Sequence, residues 1–179
     1  NLGSSVGVSK VRNEDEFETA LTHAFEFDTK VIIEEFIEGR EIECSVIGNE
    51  NPIASLPGEL IIKDDFYSYE AKYIDLDAMV PQVPAKLSKV LTKKIQELAV
   101  LAYQSLCCEG MGRVDFFVTK DERVLVNEIN TIPGFTNISM YPKMWEASGL
   151  SYSKLIDTLI NLAIERHAKE KKLKTSRAE

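Results

Sequence analysis

Within residues 112–135, GRVDFFVTKDERVLVNEINTIPGF, two carboxylates and an amide stand where a β-sheet would otherwise bury apolar side chains. Asp115 interrupts the first apolar run; Glu128 and Asn130 interrupt the second. The runs flank a charged turn and read as a β-hairpin. With the turn centred on Asp121–Glu122, Asp115 falls opposite Glu128 and Arg113 opposite Asn130. Period-two alternation then places Arg113, Asp115, Phe117, Val126, Glu128 and Asn130 on one face. Directly opposed side chains have Cβ atoms roughly 4.5–5.5 Å apart, and like charges there are destabilising. Facing carboxylates therefore need a cation between them or a raised pKa. A hard divalent ion suits Asp, Glu and Asn oxygens, and Mg²⁺ combines few carboxylates with the phosphate oxygens of a substrate. The other reading is a structural polar network in which Arg113 neutralises one acid. An odd-length loop would shift the register by one residue and send the acids to opposite faces.

The segment beyond the second strand, NTIPGFTNISMYP, mixes Pro-Gly with Asn, Thr and Ser. A glycine there permits close backbone approach, and the N–H of Gly134 could point at a developing oxyanion. Arg113 projects from the same face and could stabilise the same charge.

The elements that must position these groups can be read along the chain. A Gly/Ser loop leads into a short strand, Val6 to Val11. A helix then starts at Asn13, with Glu16 three residues on, a helix-start signature. KVIIEEFIEGREIECSVIG gives two strands joined by a turn around Glu38–Gly39, and NPIASLPGELII a further strand broken at Pro57–Gly58. Residues 63–83 are polar, aromatic and weakly periodic, a long loop of the kind that is functional or disordered in compact domains. Leu87, Leu91, Ile95, Leu98 and Ala102 recur at helical spacing. The hairpin follows, then MYPKMWEAS and a long helix from about Ser151 to Lys171. Hairpins with helices to one side predict an α+β fold with a largely antiparallel sheet.

The chain's 179 residues suffice for a sizeable core, with 44% hydrophobic and 28% charged content. Twenty-nine acidic against 21 basic residues give a net charge of −8, which argues against nucleic acid as partner. No apolar run is long enough for a membrane span, and no signal peptide is visible. Cys44, Cys107 and Cys108 make a poor disulfide framework and point to a reducing cytoplasm. His23 and His167 have no neighbours at ligand spacing and read as surface residues. The opening NLGSSVGVSKV lacks a methionine and a preceding strand, which suggests a fragment of a longer protein.

GRVDFFV and VLVNEINTIPGFTNISMYP, together with GSSVG, EGREIE and FYSYEAKY, closely resemble the D-alanine–D-alanine ligases of the ATP-grasp superfamily. The resemblance covers essentially the whole chain, with the motifs in the family's order. It implies residues 1–35 as the end of the central ATP-grasp lobe and 36–179 as the C-terminal catalytic domain, with a lid at about 63–83. Asp115, Glu128 and Asn130 would bind two Mg²⁺ ions, or Mn²⁺, bridging the ATP phosphates. Arg113 and the Gly134 N–H would form the oxyanion site. Ser139 and Met140 lie where the family grips the second D-alanine carboxylate. Lys72 would reach the γ-phosphate, Tyr73 and Ser4 would help lock the lid, and Ser5 would cover the phosphates. Glu34 would accept the adenine amino group, the backbone of Glu35 and Ile37 would read the base edge, and Glu41 would accept the ribose hydroxyls. Phe117 could pack on adenine or serve as a core residue.

The implied reaction joins two D-alanines through a D-alanyl phosphate, in a cytoplasmic and often dimeric enzyme of peptidoglycan synthesis. The segment carrying the first-substrate domain and a phosphate-binding lysine is missing from this chain, so ligation by the chain alone is not expected. Two alternatives stay open: a sister ligase joining D-alanine to D-lactate, and a MgATP-binding module without turnover. Tyr73 after Lys72 favours an amine acceptor.

Overall fold

The sheet that carries the acids is built from residues whose every second side chain is apolar. In a computed structural model describing residues 3, 5–62, 79–136 and 138–174, the chain divides into two units, Asn1–Ile37 and Glu38–Glu179.

In the first unit, helix α1 (Glu14–Ala24) is capped as its sequence requires. Asn13 accepts from the Glu16 N–H at 3.1 Å, while Glu16 reaches back to the Asn13 amide and to the Arg12 N–H. The strand expected at Val6–Val11 does not form, and neither does the one expected before Glu38. A strand needs a ladder beside it, and among the described residues none runs along either stretch. Ile32, Ile33 and Phe36 are accordingly exposed.

The second unit holds β1 (Arg40–Ile47), β2 (Ile53–Ala54), β3 (Gly58–Ile62), β4 (Met79–Gln82), β5 (Met111–Val118) and β6 (Val124–Asn130). Its helices are α2 (Lys89–Ser105), α3 (Met140–Ala147) and α4 (Tyr152–Glu170). The strands form one sheet in the order β4-β3-β1-β5-β6, with β2 on β1, and every pairing is antiparallel. The expected α+β class with an antiparallel sheet is what forms. The long loop is shorter at its end than expected, because Met79–Gln82 pairs with β3. Residues 63–78 lie outside the described residues.

The two sheet faces have different partners. Ile42, Cys44 and Val46 of β1 join Val114, Phe116 and Val118 of β5 under Leu91, Ile95, Ala99 and Tyr103 of α2. The opposite face begins under α3 and α4, where Ile47, Tyr141, Trp145 and Leu155 form a second cluster. That cluster covers only one end of the sheet. Tyr141 ties it down, its hydroxyl donating to the Val46 carbonyl at 3.0 Å.

Ile95 is fully buried at the centre of the α2 face. Ile95→Ala should lower unfolding free energy by about 2–5 kcal/mol, read as a reduced urea midpoint at unchanged slope.

Candidate functional site

Hairpin geometry decides where the acids point. The loop between β5 and β6 is odd in length: Thr119 donates to the Arg123 carbonyl at 3.0 Å, with Lys120, Asp121 and Glu122 between them. Glu122 adopts φ 59°, the left-handed residue that closes a three-residue hairpin loop. Near the turn, Val118 therefore pairs with Val124, Phe117 with Leu125 and Phe116 with Val126. Continued unbroken, this register would set Glu128 opposite Val114, on the wrong face. It is broken. The register shifts between Asp115 and Phe116, leaving Asn127 as the extra residue, so that Asp115 pairs with Glu128 and Arg113 with Asn130. The expected facing pairs thus form by a bulge rather than by an even loop. One expectation fails in consequence: Val126 sits opposite Phe116, and Leu125 replaces it beside Phe117.

The neighbouring strand extends this arrangement into a row. Glu43 of β1 pairs with Asp115, Ser45 with Arg113, and Glu41 with Phe117. Glu43, Asp115 and Glu128 thus lie side by side on three adjacent strands. Arg113 grips Asp115 with two bonds of 2.7 Å, Nε to Oδ1 and Nη2 to Oδ2. Its Nε also lies 3.3 Å from Glu43 Oε2. Asn130 bridges the outer pair, its amide nitrogen donating to Glu128 Oε1 at 3.1 Å and to Asp115 Oδ2 at 3.4 Å. Exposure falls inward along the row: Glu128 is exposed, the Asp115 side chain is 16% exposed and that of Glu43 only 7%. Burial pushes the Glu43 carboxyl up to about 7; Arg113 opposes the shift, while Asp115, Glu41 and Glu128 add to it.

Glu43 was not singled out in the sequence. The signal was present, since Glu41 and Glu43 alternate in EGREIECS, but β1 and β5 are distant in the chain and their pairing cannot be read locally. Buried Glu59 follows a different pattern, held by Arg40 through two bonds of 2.7 Å, and reads as a structural ion pair.

The loop after β6 is positioned by aromatic packing. Phe135 lies between Tyr141 and Tyr152, with centroid distances of 5.8 and 5.5 Å. A Cβ on Gly134 would come within 3.0 Å of Ser139 Oγ, so the residue is small because the backbone turns closely there. Ser139 Oγ accepts from the Thr136 N–H at 3.0 Å and shares a 2.8 Å bond with Thr136 Oγ1. It therefore makes no side-chain cap on α3, whose first N–H groups are left for another acceptor. The Met140 side chain is buried against Gly58, occupying the space a Cβ there would need.

The remaining predicted positions fall into two sets. Glu41 and Phe117 are half-buried and directly paired on the acid face. Ser5, Glu34, Glu35 and Ile37 belong to the first unit, Ser5 with φ 54°. Ser4, Lys72 and Tyr73 lie outside the described residues. A cavity of about 390 Å³ lined by Asn49, Gln104, Cys107, Cys108 and Glu109 shares no residue with the acid row.

The donor set fits a hard divalent cation. Three carboxylates face a single guanidinium, and Asn130 would add a carbonyl oxygen once its amide turns over. Among the described residues no three His, Cys, Asp or Glu side chains form a ready-made cage.

Comparison with known proteins agrees with this geometry. The family model described as "D-ala D-ala ligase C-terminus" matches residues 1–161. The chain is 57% identical over 179 residues to the D-alanine–D-alanine ligase of Oceanobacillus iheyensis, covering 100% of this chain and 49% of that protein. A solved D-alanine–D-alanine ligase of Coxiella burnetii superposes with a TM-score of 0.84 at 50% identity, covering 96% of this chain and 45% of that one. The Bacillus anthracis enzyme complexed with ATP gives 0.77 at 34% identity, covering 93% and 53%. The chain spans about half the length of the relatives it matches. It belongs to the D-alanine–D-alanine ligase family, as that family's C-terminal, ATP-grasp part.

Proposed function

We propose that the whole protein joins two D-alanine molecules at the expense of ATP, making the dipeptide used in peptidoglycan synthesis, and that this chain supplies its ATP- and metal-binding half. The observation that carries the proposal is the facing pair Asp115 and Glu128, flanked by Arg113 and Asn130, in a chain of this family. On this reading residues 1–35 end the central lobe and 36–179 form the catalytic domain.

Asp115, Glu128 and Asn130 would hold two Mg²⁺ ions, or Mn²⁺. When bound, the metal neutralises the charge on the transferring phosphoryl group. A D-alanine carboxylate oxygen attacks the γ-phosphorus, the bond to the β-phosphate oxygen breaks and ADP leaves. The amine of the second D-alanine then attacks the acyl-phosphate carbonyl, loses a proton, and phosphate departs. Arg113 and the Gly134 N–H stabilise the oxyanion between those events. The uncapped first turn of α3, with Ser139 and the Met140 backbone, suits the carboxylate of the second D-alanine.

Glu41 accepts the ribose hydroxyls, a carboxylate offering acceptors to both donors of a diol. Phe117, next to it in the ladder, packs on adenine. Glu34 takes the adenine amino group, the Glu35 and Ile37 backbone reads the base edge, and Ser5 covers the phosphates. Lys72 contacts the γ-phosphate, while Tyr73 and Ser4 lock the lid that keeps water from the acyl phosphate. No described helix is long and apolar enough to cross a membrane. A cytoplasmic homodimer completes the proposal.

Calorimetry with MgATP tests the metal reading. The wild type should bind ATP in a metal-dependent way, and Glu128→Gln should lower kcat of the whole protein by about 10²-fold or more, roughly 3 kcal/mol; unchanged turnover would refute the assignment. Gly134→Ala pushes a methyl toward Ser139 and the oxyanion position. It should depress kcat at least about tenfold with KM for ATP unchanged, and a change in ATP binding alone would refute that role. In an ADP-release assay with D-alanine, the whole protein should turn over and the 179-residue chain alone should not. Product with D-lactate but not with D-alanine at neutral pH would point to the sister activity.

A further inference from the structure

The acceptors between Asp115 and Glu128 are filled by the protein's own donors. Arg113 covers both Asp115 oxygens, and the Asn130 amide spans from Asp115 to Glu128. An arriving divalent cation would meet a guanidinium already seated on one of its ligands. Like charges repel, so the guanidinium must move, and its side chain is only 20% exposed. It needs another acceptor nearby.

One is waiting. Glu43 Oε2 is buried and has no hydrogen bond, although the Arg113 Nε lies 3.3 Å away. A buried carboxylate oxygen in that condition requires an explanation. Glu43 pairs with Asp115 across the β1–β5 ladder, so the two carboxylates flank the same guanidinium edge. The Nε that donates to Asp115 Oδ1 at 2.7 Å therefore has Glu43 Oε2 within reach as a second acceptor.

We propose that Glu43 is a positioning residue: it receives the Arg113 guanidinium when a divalent cation takes Asp115, so that the arginine stays beside the reacting groups instead of competing with the metal. This rests on the reading of Asp115 and Glu128 as metal ligands. Glu43 is itself no ligand in it. Loss of an orienting partner of this kind weakens metal binding by roughly tenfold to a hundredfold.

A carboxylate acting only through its charge would predict the same weakening whether or not Arg113 is present. The two accounts separate in a double-mutant cycle on the whole protein at pH 8, with Mn²⁺ affinity read from the electron paramagnetic resonance of free Mn²⁺. Glu43→Gln should weaken binding roughly tenfold to a hundredfold. In an Arg113→Met background the same change should cost about tenfold less, the non-additivity expected of contacting residues. Equal losses in both backgrounds, or no loss in either, overturn the proposal while leaving the metal reading standing. A wild type that binds no Mn²⁺ overturns both. A second measurement needs no Arg113 variant: the Arg113 Nε–H resonance should move on adding Mg²⁺ to the wild type and stay in place in Glu43→Gln. An unmoved wild-type resonance, in a protein that binds the metal, also overturns the proposal.

Discussion

The site depends on a one-residue break in a ladder. Two carboxylates can share a cation only from the same face of the sheet, and an unbroken register from the three-residue loop would separate them. The extra residue at Asn127 restores the pairing of Asp115 with Glu128. Bulges also increase local strand twist, and they are frequent beside active sites because they re-aim a side chain without altering the loop. Here the loop and the bulge are complementary errors of one residue each. Either alone would dissolve the site.

The same sheet face changes character along its length, which gives the site a rigid base. At one end Ile47 and Met111 lie under Tyr141, Trp145 and Leu155. One ladder step further come Ser45, Arg113 and Asn130, then Glu43, Asp115 and Glu128, then Glu41, Phe117 and Leu125. The opposite face packs an apolar cluster beneath α2, with the Arg40–Glu59 ion pair on the same face. Backbone positions on the charged face are thus fixed by packing behind them and beside them, while the side chains stay available. The aromatic clamp on Phe135 extends the same rigidity to Gly134. A catalytic constellation needs such support, because small displacements of the acting groups cost large factors in rate.

Local chemistry was legible in the sequence, and distant pairing was not. The capping of α1 by Asn13 and Glu16, the apolar stripe of α2 and the hairpin strands all follow from spacings within one element. The strands expected at Val6–Val11 and before Glu38 have the right residues, but pattern cannot supply a partner ladder. Met79–Gln82 carries a proline and weak alternation, so its pairing with β3 left little trace. Val126 was placed on the acid face because period two was carried through a bulge that no residue announces. Glu43 escaped notice because its significance comes from β5, far along the chain. The motif letters pointed to Asp115, Glu128 and Asn130 but not to the carboxylate beside them.

On the proposed reading that neighbouring carboxylate has a role beside the metal ligands. Three acids in a row would repel one another without a cation, and Arg113 with the Asn130 amide reduces that repulsion in the free protein. A site neutralised too well would exclude the ion it is built for. A third carboxylate would relieve the conflict, since its Oε2 lies 3.3 Å from the Arg113 Nε. The cost is a carboxyl that burial pushes up to about 7. On the proposed reading, that small destabilisation would be exchanged for a guanidinium that stays beside the reacting groups. On the proposed reading the oxyanion formed after phosphoryl transfer would need that charge, and the metal would need the aspartate it leaves behind.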